Sequence, residues 1–277
     1  MIDLPTESEP VRVVHGDCLD VLRSLPDGCV DAVATDPPYG QSNESYDGSR
    51  AISLRPEVWA ECSRVCKPDA ALLSFAGSPT YHRIASAIEA GGWHVRQMWG
   101  WVYRDGMITS AYPREGFDRL APAMDPIAFA TRGKVLLNVE REGEAEWSRR
   151  RDTPRSQAYI SARSGRCKAT TGTGRYPRTI ASDGAEPFEF FALPRAGRYR
   201  QSDHPNEKPG DLMRWLVAKI PGELILDPFG GSGTTGVAAI AEGRRCLLIE
   251  KEAAYVDIAR KRIAEAMGGG LLSLVGT

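Results

Sequence analysis

Up to about residue 138 the chain alternates short apolar runs with stretches whose apolar residues recur at helical spacing. That rhythm predicts βαβ units and a mostly parallel sheet with helices on both faces. Val11-Arg-Val-Val14 reads as a strand, Cys18 to Leu25 as a helix, and Val30-Asp-Ala-Val-Ala34 as a second strand. Glu57 to Cys66 reads as a helix that places Cys62 and Cys66 on successive turns. The unbroken run Ala70-Ala-Leu-Leu-Ser-Phe75 has the character of a strand buried on both faces. Tyr81 to Glu89 is helical and stopped by Gly91-Gly92, and His94–Tyr103 and Pro126–Ala130 read as strands. Regularity returns with a helix over Leu212–Ile220, a strand over Glu223–Leu226, a helix over Thr234–Ala241, a strand over Cys246–Ile249 and a helix over Ala254–Ala266. From Arg141 to Pro194 no period is sustained, and Arg, Ser, Thr and Gly dominate. The expected organisation is one α/β domain made of residues 11–138 and 200–267. An irregular insertion over 139–199 splits it, and a flexible tail over 268–277 ends it.

Composition changes this picture in one respect. The 277 residues carry a formal net charge of -1, so any basic surface must be local. The insertion is where it concentrates: Arg149, Arg150, Arg151, Arg155, Arg163, Arg166, Lys168, Arg175 and Arg178 face a single acid, Asp152. Trp147, Tyr159 and Tyr176 and many Ser, Thr and Gly residues are interleaved with them, a mixture suited to phosphate and base contacts. The six cysteines include no C-x-x-C pair and read as reduced, buried thiols. His15, His82, His94 and His204 have no metal-ligand spacing, so no metal is expected. The acidic N-terminus lacks a signal-peptide core, and no apolar run approaches the roughly 18 residues of a membrane span. A soluble, cytoplasmic protein with no membrane partner is expected.

Two segments carry chemistry. Leu224-Ile-Leu-Asp-Pro-Phe-Gly-Gly-Ser-Gly-Thr-Thr235 runs from an apolar strand through a glycine-rich turn into a helix. Glycines let the backbone approach a ligand, and a helix start offers free N–H groups. The turn has no Lys, so it is not a phosphate-binding P-loop; Gly231, Gly233 and Gly236 match the dinucleotide spacing in number only. The next strand ends in Glu250, where a carboxylate can accept from both hydroxyls of a ribose. Together these describe a site for an adenosine-containing cofactor. The second segment, Thr35-Asp-Pro-Pro-Tyr-Gly40, follows a strand. Its prolines stiffen a backbone that presents an acid beside an aromatic ring. Such a carboxylate, with a backbone carbonyl, can accept both hydrogens of an exocyclic amine while Tyr39 stacks on the base.

Asp36-Pro37-Pro38-Tyr39 resembles the catalytic motif of the amino-group DNA methyltransferases, which act on adenine N6 or cytosine N4. Asp227-Pro228-Phe229-Gly230-Gly231-Ser232-Gly233 resembles their cofactor loop, and the catalytic motif comes first, as in the permuted β-class. His204-Pro-Asn-Glu-Lys-Pro209 resembles that class's H-P-x-x-K-P motif, which implies that Lys208 lies near the methionine carboxylate. His15-Gly-Asp-Cys-Leu19 resembles the segment that meets the cofactor adenine, implicating Asp17 with Cys18 beside it. The resemblance covers most of 11–135 and 200–266 and implies a Rossmann-like, S-adenosyl-L-methionine-dependent methyltransferase fold. It implies that Asp36, Pro37, Pro38 and Tyr39 are catalytic, that the loop through Thr234 and Glu250 binds cofactor, and that the basic insertion recognises double-stranded DNA. Asp before Pro-Pro-Tyr leans towards adenine.

A base amine inside a duplex cannot meet the methyl group in line, so the base must be extruded. Trp99 or Trp101 could then offer a second stacking face. Rival readings are an N4-cytosine enzyme, a catalytically silent nucleic-acid-binding module, and an enzyme acting on RNA or protein. The chain is too short to hold a nuclease as well, so a restriction endonuclease partner would be a separate protein, and a homodimer stays open.

Overall fold

The computed structural model describes residues 2–40, 51–102, 124–135, 137 and 208–272, with side chains up to residue 268. All lie in one compact unit. Its strands are β1 (Val11–His15), β2 (Val30–Thr35), β3 (Cys66–Phe75), β4 (His94–Val102), β5 (Met124–Thr131), β6 (Leu224–Asp227) and β7 (Arg245–Glu250). Its α-helices are α1 (Cys18–Ser24), α2 (Pro56–Val65), α3 (Tyr81–Ala90), α4 (Gly210–Lys219), α5 (Thr234–Ala241) and α6 (Ala253–Leu272). The strands form one sheet in the order β1-β7-β6-β2-β3-β5-β4. β1, β7, β6, β2 and β3 run parallel, and β5 is antiparallel to both β3 and β4.

Two-faced burial explains the continuous apolar runs. Val33, Leu72, Leu226, Leu247 and Ile249 point into a core shared with α1, α2 and α3. Their neighbours Ala32, Ala34, Leu73, Ile225 and Leu248 point into a second core shared with α4, α5 and α6. Successive side chains on a strand face opposite ways, so a strand covered on both sides has no polar positions to alternate. The helices therefore cover both faces, as the sequence leads one to expect.

Two boundaries differ from expectation. Cys66 caps α2 in extended backbone and opens β3, so Cys62 and Cys66 do not sit on successive helical turns. Pro68 follows two residues later and turns its predecessor away from helix. At the other end, α6 continues through Gly268 to Leu272, where the three glycines suggest a frayed tail. Among the described residues no helix is long and apolar enough to cross a membrane.

Candidate active site

The two motif-bearing segments leave the sheet side by side. β2 pairs with β6 in parallel, with Ala32 opposite Ile225 and Val33 opposite Leu226. Residues 36–40 and 228–233 therefore emerge at the same carboxyl edge, although about 190 residues separate them in sequence. From β6 the chain moves to β7 on one side, and from β2 it moves to β3 on the other. Such a reversal opens a crevice at the carboxyl ends of the strands, where ligands of open α/β sheets bind.

Asp36 stands at this edge with about a quarter of its side chain exposed. Its Oδ2 accepts from Lys208 Nζ at 2.5 Å, and its Oδ1 accepts from the Tyr39 hydroxyl at 2.7 Å. Lys208 is buried, with its Nζ 5.2 Å from the centre of the Tyr39 ring and 5.0 Å from that of Phe75. The carboxylate, the ring and the cation thus make one cluster. Pro37 is buried and Pro38 half-buried. The Pro38 carbonyl accepts from the hydroxyl of Ser53, which is fully buried on the helical turn Ile52–Leu54. The Ser53 carbonyl in turn accepts from the Trp59 indole at 2.7 Å. Nothing in the sequence around Ser53 marks it as part of this site, because the contact spans 15 residues with no periodic pattern.

The glycine loop is braced from three sides. Asp227 ends β6, 2% exposed, with Oδ1 accepting from the Thr35 hydroxyl at 2.6 Å and the Phe229 amide at 3.0 Å. Its Oδ2 accepts from the Thr235 hydroxyl at 2.6 Å. Burial pushes this carboxyl up to about 6, against the pull of the Thr235 and Thr35 hydroxyls and the Phe229 amide. Glu250, at the end of β7, accepts from the Gly231 amide at 2.8 Å and from the Glu252 amide at 2.7 Å. The Gly230 amide donates to the Ile249 carbonyl at 2.8 Å. From α6, the buried Arg262 donates through Nη1 to the Ser232 carbonyl and hydroxyl, both at 2.8 Å, and to the Thr234 hydroxyl at 3.1 Å. An arginine in an amphipathic helix reads as a solvent-facing residue, so Arg262 is another member that sequence reasoning misses.

Asp17 follows β1, whose last residue pairs with Glu250, so Asp17 and Glu250 leave neighbouring strand ends. Asp17 caps α1 by accepting from the Leu19 amide at 3.0 Å. Burial, helped by the charge of Asp17, pushes the Cys18 thiol up to about 12, which keeps it protonated and inert. Pro228 is buried, and the half-buried Phe229 ring lies 6.4 Å from that of Trp59. The structure thus brings together Asp36, Pro37, Pro38, Tyr39 and Lys208 on one loop cluster. Asp227, Pro228, Phe229, Gly230, Gly231, Gly233, Thr234 and Glu250 gather on the adjacent one, with Asp17 and Cys18 at the next strand end.

One expectation is overturned. Trp99 and Trp101 are 5% and 2% exposed and belong to the core. Trp99 stacks on Phe129 at 5.2 Å and meets Trp215 edge-on at 5.9 Å, so neither indole is a free stacking face. The basic residues Arg149, Arg150, Arg151, Arg155, Arg163, Arg166, Lys168, Arg175 and Arg178 lie outside the described residues. Among the described residues no cluster of His, Cys, Asp and Glu could hold a metal ion, and the five cysteines there are free.

Residues 30–261 match the model of a family described as DNA methylase. The chain is 24% identical to the DNA adenine methyltransferase YhdJ of Escherichia coli K12, over 92% of this chain and 83% of that one. The crystal structure of the M1.HpyAVI–SAM complex is similar with a TM-score of 0.58 at 21% identity, covering 91% of this chain and 99% of that one. The cytosine-N4-specific PvuII DNA methyltransferase also reaches a TM-score of 0.58, at 16% identity over 93% of this chain and 91% of that one.

Proposed function

Since the chain belongs to the DNA methylase family, we propose that it transfers a methyl group from S-adenosylmethionine to the N6 amine of an adenine extruded from double-stranded DNA. The observation that carries this reading is the juxtaposition of Asp36 and Tyr39, bonded at 2.7 Å, with the glycine loop on the adjacent strand. When bound, the cofactor supplies an electrophilic methyl on a sulfonium. The glycine loop and the start of α5 would receive its methionine end. Glu250 would receive its ribose: both carboxylate oxygens already accept a backbone amide, and each keeps a lone pair for a hydroxyl. Asp17 would meet the adenine, and Phe229 would line the cofactor pocket.

Asp36 and the Pro37 carbonyl would accept the two N–H groups of the target amine, so that its lone pair faces the methyl group. In doing so Asp36 would exchange the Oδ1 bond to Tyr39 for one to substrate while Oδ2 keeps Lys208, which releases the Tyr39 ring to stack on the base. Nitrogen would take the methyl as the methyl–sulfur bond breaks and leaves a neutral thioether, and the Asp36 carboxylate would stabilise the tetrahedral, cationic nitrogen until its proton passes to water. No covalent intermediate on the protein is needed, since positioning and charge stabilisation suffice. The basic run between Arg149 and Arg178 would contact phosphates and carry target recognition.

Asp before Pro-Pro-Tyr favours adenine, as does the name of YhdJ. The second reading, cytosine N4, is favoured by the PvuII enzyme, whose fold fits equally well. The deciding assay incubates the protein with labelled S-adenosylmethionine and unmethylated duplex DNA and analyses the product nucleosides. N6-methyladenine is expected. N4-methylcytosine would overturn the base, and no label in DNA would overturn the reaction.

Asp227 adds a pH prediction. Its folded value of about 6 lies above the ordinary carboxylate range. It therefore favours the fold most in acid, below the unfolded value, and that contribution is lost as pH rises through about 6. Acid does not loosen the fold through this group; it protonates the carboxylate to which both loops donate. Methyl transfer is expected to fall as pH drops through about 6, with no matching fall in melting temperature. Single-turnover rates and melting curves across that range check it, and a flat rate profile would count against it.

A further inference from the structure

The catalytic and glycine loops are joined by a direct side-chain link. Thr35 is the last residue of β2, immediately before Asp36, and Thr235 is the second residue of α5. Their hydroxyls donate to opposite oxygens of Asp227, each at 2.6 Å. The three residues are 1%, 3% and 2% exposed, so water cannot replace either donor. A carboxylate buried this deeply must be met by hydrogen bonds, which are strong in a low-dielectric setting and costly to lose. Here the donors come from both loops, with the Phe229 amide as the third. Neither loop can shift without uncovering the charge that holds the other.

We propose that Thr35, Asp227 and Thr235 form a clasp through which the catalytic strand sets the affinity of the glycine loop for S-adenosylmethionine. The inference rests on the cofactor reading above. Thr35 is then a positioning residue for the cofactor, although it sits on the strand that carries Asp36. Because coupling is reciprocal, a filled cofactor site also stiffens the start of the catalytic loop. The clasp separates two properties that the motifs alone merge: Asp36 meets the reacting amine, while its neighbour Thr35 serves the methyl donor.

Thr35→Val tests this, since it exchanges a hydroxyl for a methyl at constant volume. Binding of S-adenosylmethionine is measured by equilibrium dialysis of the full chain without DNA, for wild type, Thr35→Val, Thr35→Ser, Thr235→Val and the double valine variant. Thr35→Val is expected to raise Kd roughly five- to tenfold, the effect of one hydrogen bond to a buried charge, while Thr35→Ser stays within about twofold of wild type. The double variant should weaken binding by less than the product of the two single effects, because both act through one carboxylate. Wild-type affinity in Thr35→Val overturns the clasp. So does equal weakness in Thr35→Ser, which keeps the hydroxyl and would trace the effect to packing around β2 rather than to the hydrogen bond. If the valine variant does not fold, Thr35→Cys, whose thiol is a weaker donor, is expected to raise Kd more than Thr35→Ser does, and wild-type affinity there overturns the proposal. Cofactor binding without methylation of DNA would overturn the proposed reaction while the affinity ratios still decide the clasp; a wild type that binds no S-adenosylmethionine overturns both.

Discussion

Asp36→Ala is expected to lower the rate of methyl transfer roughly 10³-fold, the order of loss seen when a preorganised electrostatic group is removed from the point where charge develops. Two effects combine. The amine loses the acceptor that orients its lone pair, and the cationic nitrogen loses the carboxylate beside it. Cofactor affinity should change by no more than about twofold, because the hydrogen bonds that brace the glycine loop come from Thr35, Thr235, Glu250 and Arg262 and not from Asp36. Single-turnover rates beside equilibrium binding separate the two quantities. The substitution also strips Lys208, which is 9% exposed, of its carboxylate partner at 2.5 Å. Leaving a buried cation unpaired costs up to about 3 kcal/mol, so a melting temperature must accompany the kinetics. Asp36→Asn keeps an acceptor oxygen without the charge and should retain more activity than alanine. Equal activity in wild type and Asp36→Ala would remove Asp36 from the chemistry.

The second large effect is on the glycine loop. Gly233 is the N-cap of α5 at φ +82°, a left-handed conformation that costs an L-residue about 1–2 kcal/mol. A Cβ added there would lie 3.0 Å from the Ala259 Cβ and 3.1 Å from its Cα, on α6. The backbone of a packed helix cannot yield cheaply, so overpacking adds about 1–3 kcal/mol. Gly233→Ala should therefore lower the melting temperature by roughly 10 °C in a protein of this size. It should also weaken S-adenosylmethionine binding about tenfold or more, because the N–H groups at the start of α5 shift away from the ligand. Gly243→Ala is the control. Gly243 has φ +64° with nothing within 4 Å of an added Cβ, so only the conformational cost remains and cofactor binding should be untouched. Equal melting temperatures for the two variants would show that α6 yields to the added methyl group.

Much of the fold was readable before any coordinate. A strand covered on both faces writes itself as an unbroken apolar run, and a helix as a 3.6-residue recurrence, so β2, β3, β6, β7 and the helices between them follow from local pattern alone. The chemistry-bearing segments were equally legible, because Asp-Pro-Pro-Tyr and the glycine turn are rare, contiguous strings. What local pattern does not contain is strand order. Only the pairing of β2 with β6 puts Asp36 beside a loop that lies almost two hundred residues on, and only the reversed connections around that pair open a crevice there.

The same limit explains what was misread. Trp99 and Trp101 look like base-stacking residues in a linear text, but on β4, paired with β5, both are buried in the core, Trp99 against Phe129 and Trp215. Ser53 and Arg262 carry no mark in the sequence, and Thr35 and Thr235 stand at the ends of the two motif segments with no sign that they share a partner, since a single hydroxyl or guanidinium has no period and no fixed neighbour. Their roles come from contacts made across 15, 30, 192 and 8 residues. The sequence by itself therefore determined most of the elements and the two motif-bearing loops, because those depend on near neighbours. The tertiary structure decided which distant residues hold the loops in place, because a buried charge accepts whichever donors the packed chain brings within reach.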